Sequence, residues 1–410
     1  MRIAIDYTTG IYPGAGVARY TRQLMASLAG IDSRNNYKLF YAAIGLPGST
    51  AERAQAAMLF GERPNFRAVP VPMSVRVMSR LWQRWQVPLP LELFTGRCDV
   101  VHSPDFISPP HRYGADVITV HDLSFLVTPE CAEPTLASFL GKAVPEAARR
   151  ADHIIAVSKQ TKRDLTQLLS VPPERVTVAY NGVDARFRPM RGDPAVDILR
   201  QKLGLPERFI LHVGTLEPRK NLARLIDAYG LLVGVGPSAA PNPRRTPLRD
   251  VALVLAGRRG WLYEPIYKAA ERVNNEGGNV VFLDFVRDDH LPLLYNMAEV
   301  FAYPSLYEGF GLPAAEALAC GVPTLVSTDG ALKEVTDEAA LAADPRSIEE
   351  IASNLQRLLT DEALREELAQ AGPRQVARFT WEAAARTVLS VYEGLGKLSR
   401  SESGPPSGII

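Results

Sequence analysis

Two glutamates eight residues apart, Glu308 and Glu316, stand in the stretch EVFAYPSLYEGFGLPAAEALACGVPTLVS from Glu299 to Ser327. An apolar run ends near Pro304, a glycine-bearing loop follows, and Pro313 sits where the first turn of a helix tolerates a missing N–H. Glu308 therefore falls in the loop and Glu316 in the early turns of the helix. Gly309 and Gly311 let the backbone come close to a ligand, and free N–H groups at a helix start favour an anion or a row of hydroxyls. Carboxylates so placed can line the two ends of one extended polar ligand. The plainer alternative is a solvated loop charge and a solvated helix charge.

A second constellation, HVGTLEPRKNLARLI, puts Arg219 and Lys220 at a turn between a strand and a helix that starts near Asn221. In a doubly wound sheet such a turn is where a nucleotide diphosphate lies. At ~4 Å and an effective dielectric of ~20, one contact between such a cation and a phosphate oxygen is worth about 4 kcal/mol before desolvation. No Asp-x-Asp occurs in the chain, so no metal site of the kind that neutralises a diphosphate is visible. Arg219, Lys220 and helix N-termini are the groups expected in its place.

In the first half, GIYPGAGVARYTRQL sets Gly14, Gly16 and Arg19 between a strand and a helix, and His121 ends the strand DVITVHD. His102, in VHSPD, has a similar place and reads as structural. A lone Gly-x-Gly also fits a dinucleotide site. That reading needs an acidic residue closing the second strand, about 20 residues on, and YKLFYAAIG offers none.

The elements that must position these residues alternate along the chain. RIAIDY, YKLFYAA, DVVHS, DVITVHD and HIIAVS read as strands, the last leading into KQTKRDLTQLL with Ser158 as its N-cap. The pattern breaks at RFRPMRGDP near residue 190 and resumes at Phe209 with FILHVG, VALVLAG, VVFLDF, EVFAYPS and PTLVS, followed by helical patterns such as NLARLIDAYGLL. This predicts an α/β fold of two Rossmann-like doubly wound domains. Residues 1–190 form the first and 200–378 the second. The apolar pattern TWEAAARTVLSVYEGL, within 379–397, is expected to cross back to the first domain. Ser238 to Pro247 reads as a loop insertion and 398–410 as a disordered tail.

Composition limits the partners. Of the 410 residues, 46 are Lys or Arg and 45 Asp or Glu, a formal charge of +1, so no global field favours nucleic acid. Cys98, Cys131 and Cys320 are too scattered for a disulfide framework or zinc cluster, which points to a reducing cytoplasm. There is no run of 18 apolar residues. From Ser74 to Gln86, however, Val75, Val77, Met78, Leu81, Trp82 and Trp85 fall on one helical arc and Arg76, Arg80 and Arg84 on the other. Such a helix either rests on an anionic membrane or buries its apolar face in the first domain.

The Glu308-to-Glu316 stretch resembles the Glu-x7-Glu motif of retaining glycosyltransferases of group 1 (family 4), and the resemblance extends over about residues 1–397. It implies a GT-B fold, two Rossmann-like domains facing across a cleft. It implies that Glu316 holds the ribose hydroxyls of a sugar nucleotide and that Glu308 contacts the transferred sugar. The backbone from Phe310 through Gly311 to Leu312 would approach sugar and phosphate, and Arg219 with Lys220 would bind the diphosphate. His121 would contact the transferred sugar, Gly16 would lie near the donor phosphates, and Val286, in VVFLDFVRD, would border the base. Asp284 there stands where the family commonly has glycine.

The resulting expectation is a retaining hexosyltransferase that uses a GDP- or UDP-sugar, mannose first among donors. No cofactor is implied. The acceptor would be a saccharide or lipid-linked saccharide, at the cytoplasmic face of the membrane, in polysaccharide or glycolipid synthesis. A sugar-nucleotide epimerase of the same architecture, or a non-catalytic nucleotide-sugar-binding protein, is the alternative.

Overall fold

Two fully parallel sheets organise the chain, and their central strands are buried on both faces, as crossover helices require. A computed structural model describes residues 1–11, 16–45, 63–85, 87–235 and 248–402, without the side chains of Gln83 and 397–402. Gly14 of the glycine loop, Gln86, the Ser238 to Pro247 insertion and residues 403–410 of the tail lie outside the described residues.

The first sheet holds β1 (Arg2–Asp6), β2 (Asn36–Ile44), β3 (Phe66–Ser74), β4 (Val100–Ser103), β5 (Ala115–Val120), β6 (His153–Ala156) and β7 (Val176–Val178), in the order β3-β2-β1-β4-β5-β6-β7. The second holds β8 (Arg208–Val213), β9 (Val251–Ala256), β10 (Val280–Leu283), β11 (Val300–Tyr303), β12 (Thr324–Ser327) and β13 (Leu341–Ala343), in the order β10-β9-β8-β11-β12-β13. In both, the crossovers run one way from the first strand and the other way from the fourth. This reversal is the doubly wound signature, and it opens a crevice at the carboxyl ends of β1 and β4 in one sheet and of β8 and β11 in the other.

Two compact units follow from the packing. The first comprises Met1–Leu123, Phe139–Gly182 and Phe379–Ile410, and the second Ser124–Ser138 with Val183–Arg378. The first unit thus contains the final helix, Trp381–Glu402, which continues through residues read from the sequence as the start of the tail. It lies on the helix Val17–Ile31, with the Trp381 and Tyr20 rings 5.9 Å apart. Gly182 makes that approach possible, because a Cβ there would meet the Trp381 backbone nitrogen at 2.2 Å. Residues Ser124–Ser138 depart from a simple division near residue 190. They are held in the second unit, where Trp261 Nε1 donates to the Cys131 carbonyl at 2.7 Å.

The segment from Ser74 departs from the regular helix expected of it. Ser74 Oγ caps a four-residue α-turn, Val75–Met78, and a π-helical turn, Ser79–Arg84, follows. A π-turn takes up more residues than an α-turn, so a 100° arc cannot be kept through it. Met78 and Trp82 enter the core beside the sheet with Leu81 against them, whereas Val75, Val77 and Trp85 are 41%, 42% and 63% exposed. The apolar arc is therefore split between core and surface. Among the described residues no helix is long and apolar enough to cross a membrane.

Candidate functional site

In the second unit, the crevice between β8 and β11 brings together Arg219, Lys220 and Glu308. After β8 the chain passes Gly214 and forms a 3-10 turn, Pro218–Lys220, before Asn221 takes a left-handed conformation (φ 60°) and the helix Leu222–Val233 begins. Asn221 tolerates that φ, and its Nδ2 ties the turn to the carbonyls of Pro304 (3.0 Å) and Pro345 (2.6 Å). The Arg219 carbonyl accepts from Leu306 N at 2.8 Å. These bonds fix the Arg-Lys turn against the loop that follows β11.

That loop delivers Glu308. Lys220 Nζ donates to Glu308 Oε1 at 2.6 Å, and Arg219 Nη1 lies 3.0 Å from Oε2. Arg219 also donates to Glu217 Oε1 at 2.8 Å and to the Tyr307 carbonyl at 2.9 Å. The expected cation pair is thus half of a cluster of two cations and two carboxylates. Lys220, Glu217 and Glu308 are all buried. Burial would raise the Glu308 carboxyl, but the Arg219 guanidinium and the Lys220 ammonium outweigh it and hold the group down to about 2. Burial, reinforced by Arg219, pulls the Lys220 ammonium below the ordinary lysine range. Lys220 Nζ makes one further bond, to Tyr303 Oη at 2.7 Å. Its third N–H has no acceptor among the described residues.

Glycines set the close approaches. At Gly330 (φ 70°) a Cβ would lie 2.8 Å from both the N and O of Glu308, and Ala331 N donates to the Glu308 carbonyl at 3.0 Å, so this glycine seats the glutamate's backbone. Gly311 (φ 87°) opens the helix Leu312–Ala319, and a Cβ there would strike Leu332 Cδ2 at 2.3 Å. Phe310 is buried and Leu312 half-buried at this corner. Glu316 is buried in that helix, with Oε2 accepting from the fully buried Tyr295 hydroxyl at 3.0 Å. Val286 is half-buried just beyond the end of β10.

Gly16 and His121 belong to the first unit. Gly16 (φ 61°) caps the helix Val17–Ile31 and is exposed, with no atom of the described residues within 4 Å of where its Cβ would be, and its backbone conformation calls for glycine. His121 follows β5, with Nε2 2.8 Å from the Pro104 carbonyl and the Tyr20 ring edge-on at 4.8 Å. A carbonyl only accepts, so Nε2 carries the proton and Nδ1 is left as an acceptor. Burial holds His121 below its usual pKa. His102, read as structural, is fully buried between Tyr392 Oη and Thr119 Oγ1, and burial pushes its pKa to about 3. Ser158 Oγ accepts from Thr161 N, the N-cap expected.

Sequence reasoning missed Tyr303, Glu217, Tyr295 and Gly330. Tyr303 carried a signal, as the last residue of a strand entering the loop, and Glu217 stands two residues before Arg219, whereas Tyr295 and Gly330 are brought in by the fold alone. Among the described residues no three His, Cys, Asp or Glu side chains are grouped as metal ligands.

Residues 196–375 match the family described as "Glycosyl transferases group 1", and residues 14–187 match "Glycosyltransferase Family 4". The O-antigen chain mannosyltransferase B of Escherichia coli is 30% identical over 387 residues, 93% of this chain and 97% of that one. The chain belongs to the group 1 glycosyltransferases. As a group 1 glycosyltransferase it shares the GT-B fold of solved relatives, now with its own geometry on view. A sucrose-phosphate synthase of Thermosynechococcus elongatus superposes with a TM-score of 0.73 at 21% identity, covering 97% of this chain and all of that one. Anabaena HepE, solved with UDP and glucose, gives 0.68 at 19%, with 96% and 99% covered.

Proposed function

We propose that this glycosyltransferase moves a hexose, mannose first among candidates, from a GDP- or UDP-sugar to a saccharide or lipid-linked saccharide. The anomeric configuration is retained, and the setting is cell-surface polysaccharide or glycolipid synthesis. The observation that carries the reading is Lys220. This buried ammonium stands beside Arg219 at the β8/β11 switch point, with one N–H still without an acceptor among the described residues. Such a hydrogen is aimed at an oxygen that arrives with a ligand, and the switch point of a doubly wound sheet is where a diphosphate arrives. The mannosyl relative and the UDP complex of HepE support the donor class.

In the proposed reaction the bond from the sugar's C1 to the phosphate oxygen breaks, and its electron pair stays on the diphosphate beside Arg219 and Lys220. Positive charge spreads over C1 and the ring oxygen, near the Glu308 carboxylate. The acceptor hydroxyl bonds to C1 on the same face and gives its proton to the departing phosphate oxygen. Glu316 holds the ribose, the Phe310 to Leu312 backbone and Gly16 lie against sugar and phosphates, and Val286 borders the base. His121 accepts from a sugar hydroxyl through Nδ1. No divalent ion is required, so chelator leaves the rate unchanged.

The test is a panel of sugar nucleotides scored by the rise in melting temperature, followed by transfer assays with and without acceptor. Turnover of a sugar nucleotide to its epimer with no acceptor present would defeat the transferase reading. Glu316→Ala raises the donor KM about 10-fold or more and leaves kcat nearly unchanged, because ribose contacts are equal in ground and transition states. Steady-state kinetics over a donor series decide this. A fall in kcat with unchanged KM would move Glu316 to the reacting centre.

We further propose that the surface carrying Arg76, Arg80, Arg84 and Trp85 rests on anionic lipid at the cytoplasmic face of the membrane. All four residues are exposed, and Trp82 anchors the segment in the core. The protein then co-sediments with vesicles containing phosphatidylglycerol and not with pure phosphatidylcholine. Arg76→Ala/Arg80→Ala/Arg84→Ala abolishes the difference, and binding that ignores the three changes rules this surface out.

A further inference from the structure

Lys220, which holds Glu308, is itself bonded to a third side chain that no motif names. Tyr303 ends β11, is 1% exposed, and takes the Lys220 ammonium on its hydroxyl oxygen at 2.7 Å. The Glu308 carboxylate takes a second hydrogen of the same ammonium at 2.6 Å, so the phenol oxygen and the carboxylate are two acceptors on one cation. Burial, reinforced by the charge of Glu308, raises the Tyr303 hydroxyl well above its usual range, so it stays a neutral phenol.

The ring that carries this hydroxyl is itself held. His212, on β8 and fully buried, stacks on Tyr303 with centroids 5.3 Å apart and planes 14° off parallel, and its Nδ1 lies 3.0 Å from the Ala302 carbonyl. That carbonyl fixes the tautomer, with the proton on Nδ1. Nε2 is left as a lone pair facing the space above Gly214, where a Cβ would lie 3.2 Å from it and 3.6 Å from Lys220 Cε. Burial pushes the His212 pKa to about 4. The stacking partner is therefore neutral at working pH and adds no third cation beside Lys220.

We infer that Tyr303, backed by His212, is a positioning residue for the reaction. It holds Lys220 and Glu308 in register so that the third N–H of Lys220 points at the leaving phosphate. The inference rests on the transferase reading above. Tyr303→Phe keeps the ring and its stack and removes only the hydroxyl. It lowers kcat about 10- to 100-fold, the range for a buried hydrogen bond to a charged group. The donor KM changes less than kcat.

A second readout separates positioning from packing. The hydroxyl stabilises the charged form of Lys220, so its loss lowers the lysine's pKa and moves the alkaline limb of the kcat/KM profile to lower pH. In a Lys220→Ala background the same change adds little, because the group it positions is gone. Should Tyr303→Phe fold poorly, 3-fluorotyrosine incorporated at position 303 keeps the shape and weakens the acceptor, and the limb moves the same way by less.

Isothermal titration of the wild-type enzyme with UDP and GDP separates the two levels. If neither nucleotide binds and no sugar is transferred, the transferase reading fails and this inference goes with it. If the wild type binds and transfers while Tyr303→Phe matches it in kcat and in the alkaline limb, Tyr303 is packing alone and only this inference is overturned.

Discussion

Lys220→Ala lowers kcat at saturating donor by about 100-fold or more, the loss found when one preorganised donor to a developing anion is removed. The geometry says why the effect is on kcat. In the proposed ground-state complex the diphosphate charge is shared with the sugar's C1–O bond, and Lys220 and Arg219 already contact it. As the bond breaks a further charge gathers on the leaving oxygen, and a buried ammonium with one N–H uncommitted among the described residues stabilises the added charge more than the original. Arg219→Ala acts in the same direction. It also frees Glu217, whose Oε1 it holds at 2.8 Å, and so leaves a buried carboxylate short of a partner. Its stability therefore falls more than that of Lys220→Ala, whose loss leaves Glu308 still paired with Arg219 at 3.0 Å. Single-turnover and steady-state rates at saturating donor, beside thermal melts, check both statements. Near-wild-type rates in both variants would remove the electrostatic account.

The strands that sequence reasoning missed share a position in the sheets. All ten strands it found appear, and the three it missed, β3, β7 and β13, are edge strands. β3 contains Pro70 and Pro72, which cannot donate to a ladder and argue against a central strand, yet are harmless at an edge. β7 and β13 have three residues each, too few for a pattern to emerge. The site divides in a similar way. Glu308, Glu316, Arg219 and Lys220 were legible because glycine, proline and charge cluster around them in the chain. Glu217 looked like one more loop charge, and Tyr295 and Gly330 lie far from the residues they support. Only the switch of crossover direction between β8 and β11 brings such pieces together. The basic segment after Ser74 was misjudged because periodicity assumes an α-helix, and a π-turn redistributes the same residues.

Glu308→Gln has two opposed effects, and their combination tests how the cluster operates. In the free site the carboxylate accepts from Lys220 at 2.6 Å and lies 3.0 Å from Arg219 Nη1. Held down to about 2, it is ionised at any assay pH. A nucleoside diphosphate entering the crevice meets two cations already engaged by an anion, so part of its attraction is offset by repulsion from Glu308. Glutamine keeps the shape and one acceptor and removes the charge. At roughly 6 Å and an effective dielectric of ~20, a unit repulsion is on the order of 3 kcal/mol, and the cations lose some ordering when Glu308 no longer holds them. The net expectation is UDP or GDP bound about 10-fold more tightly, or about 1.4 kcal/mol. Turnover moves the other way. In the proposed reaction the charge that hinders the diphosphate lies beside the sugar as it becomes positive, and its removal costs about 100-fold in kcat. Titration calorimetry with each nucleotide, paired with kcat at saturating donor, measures both. If the variant binds the nucleotides more weakly than the wild type, Glu308 serves to order Lys220 and Arg219 for the phosphates rather than to compete with them.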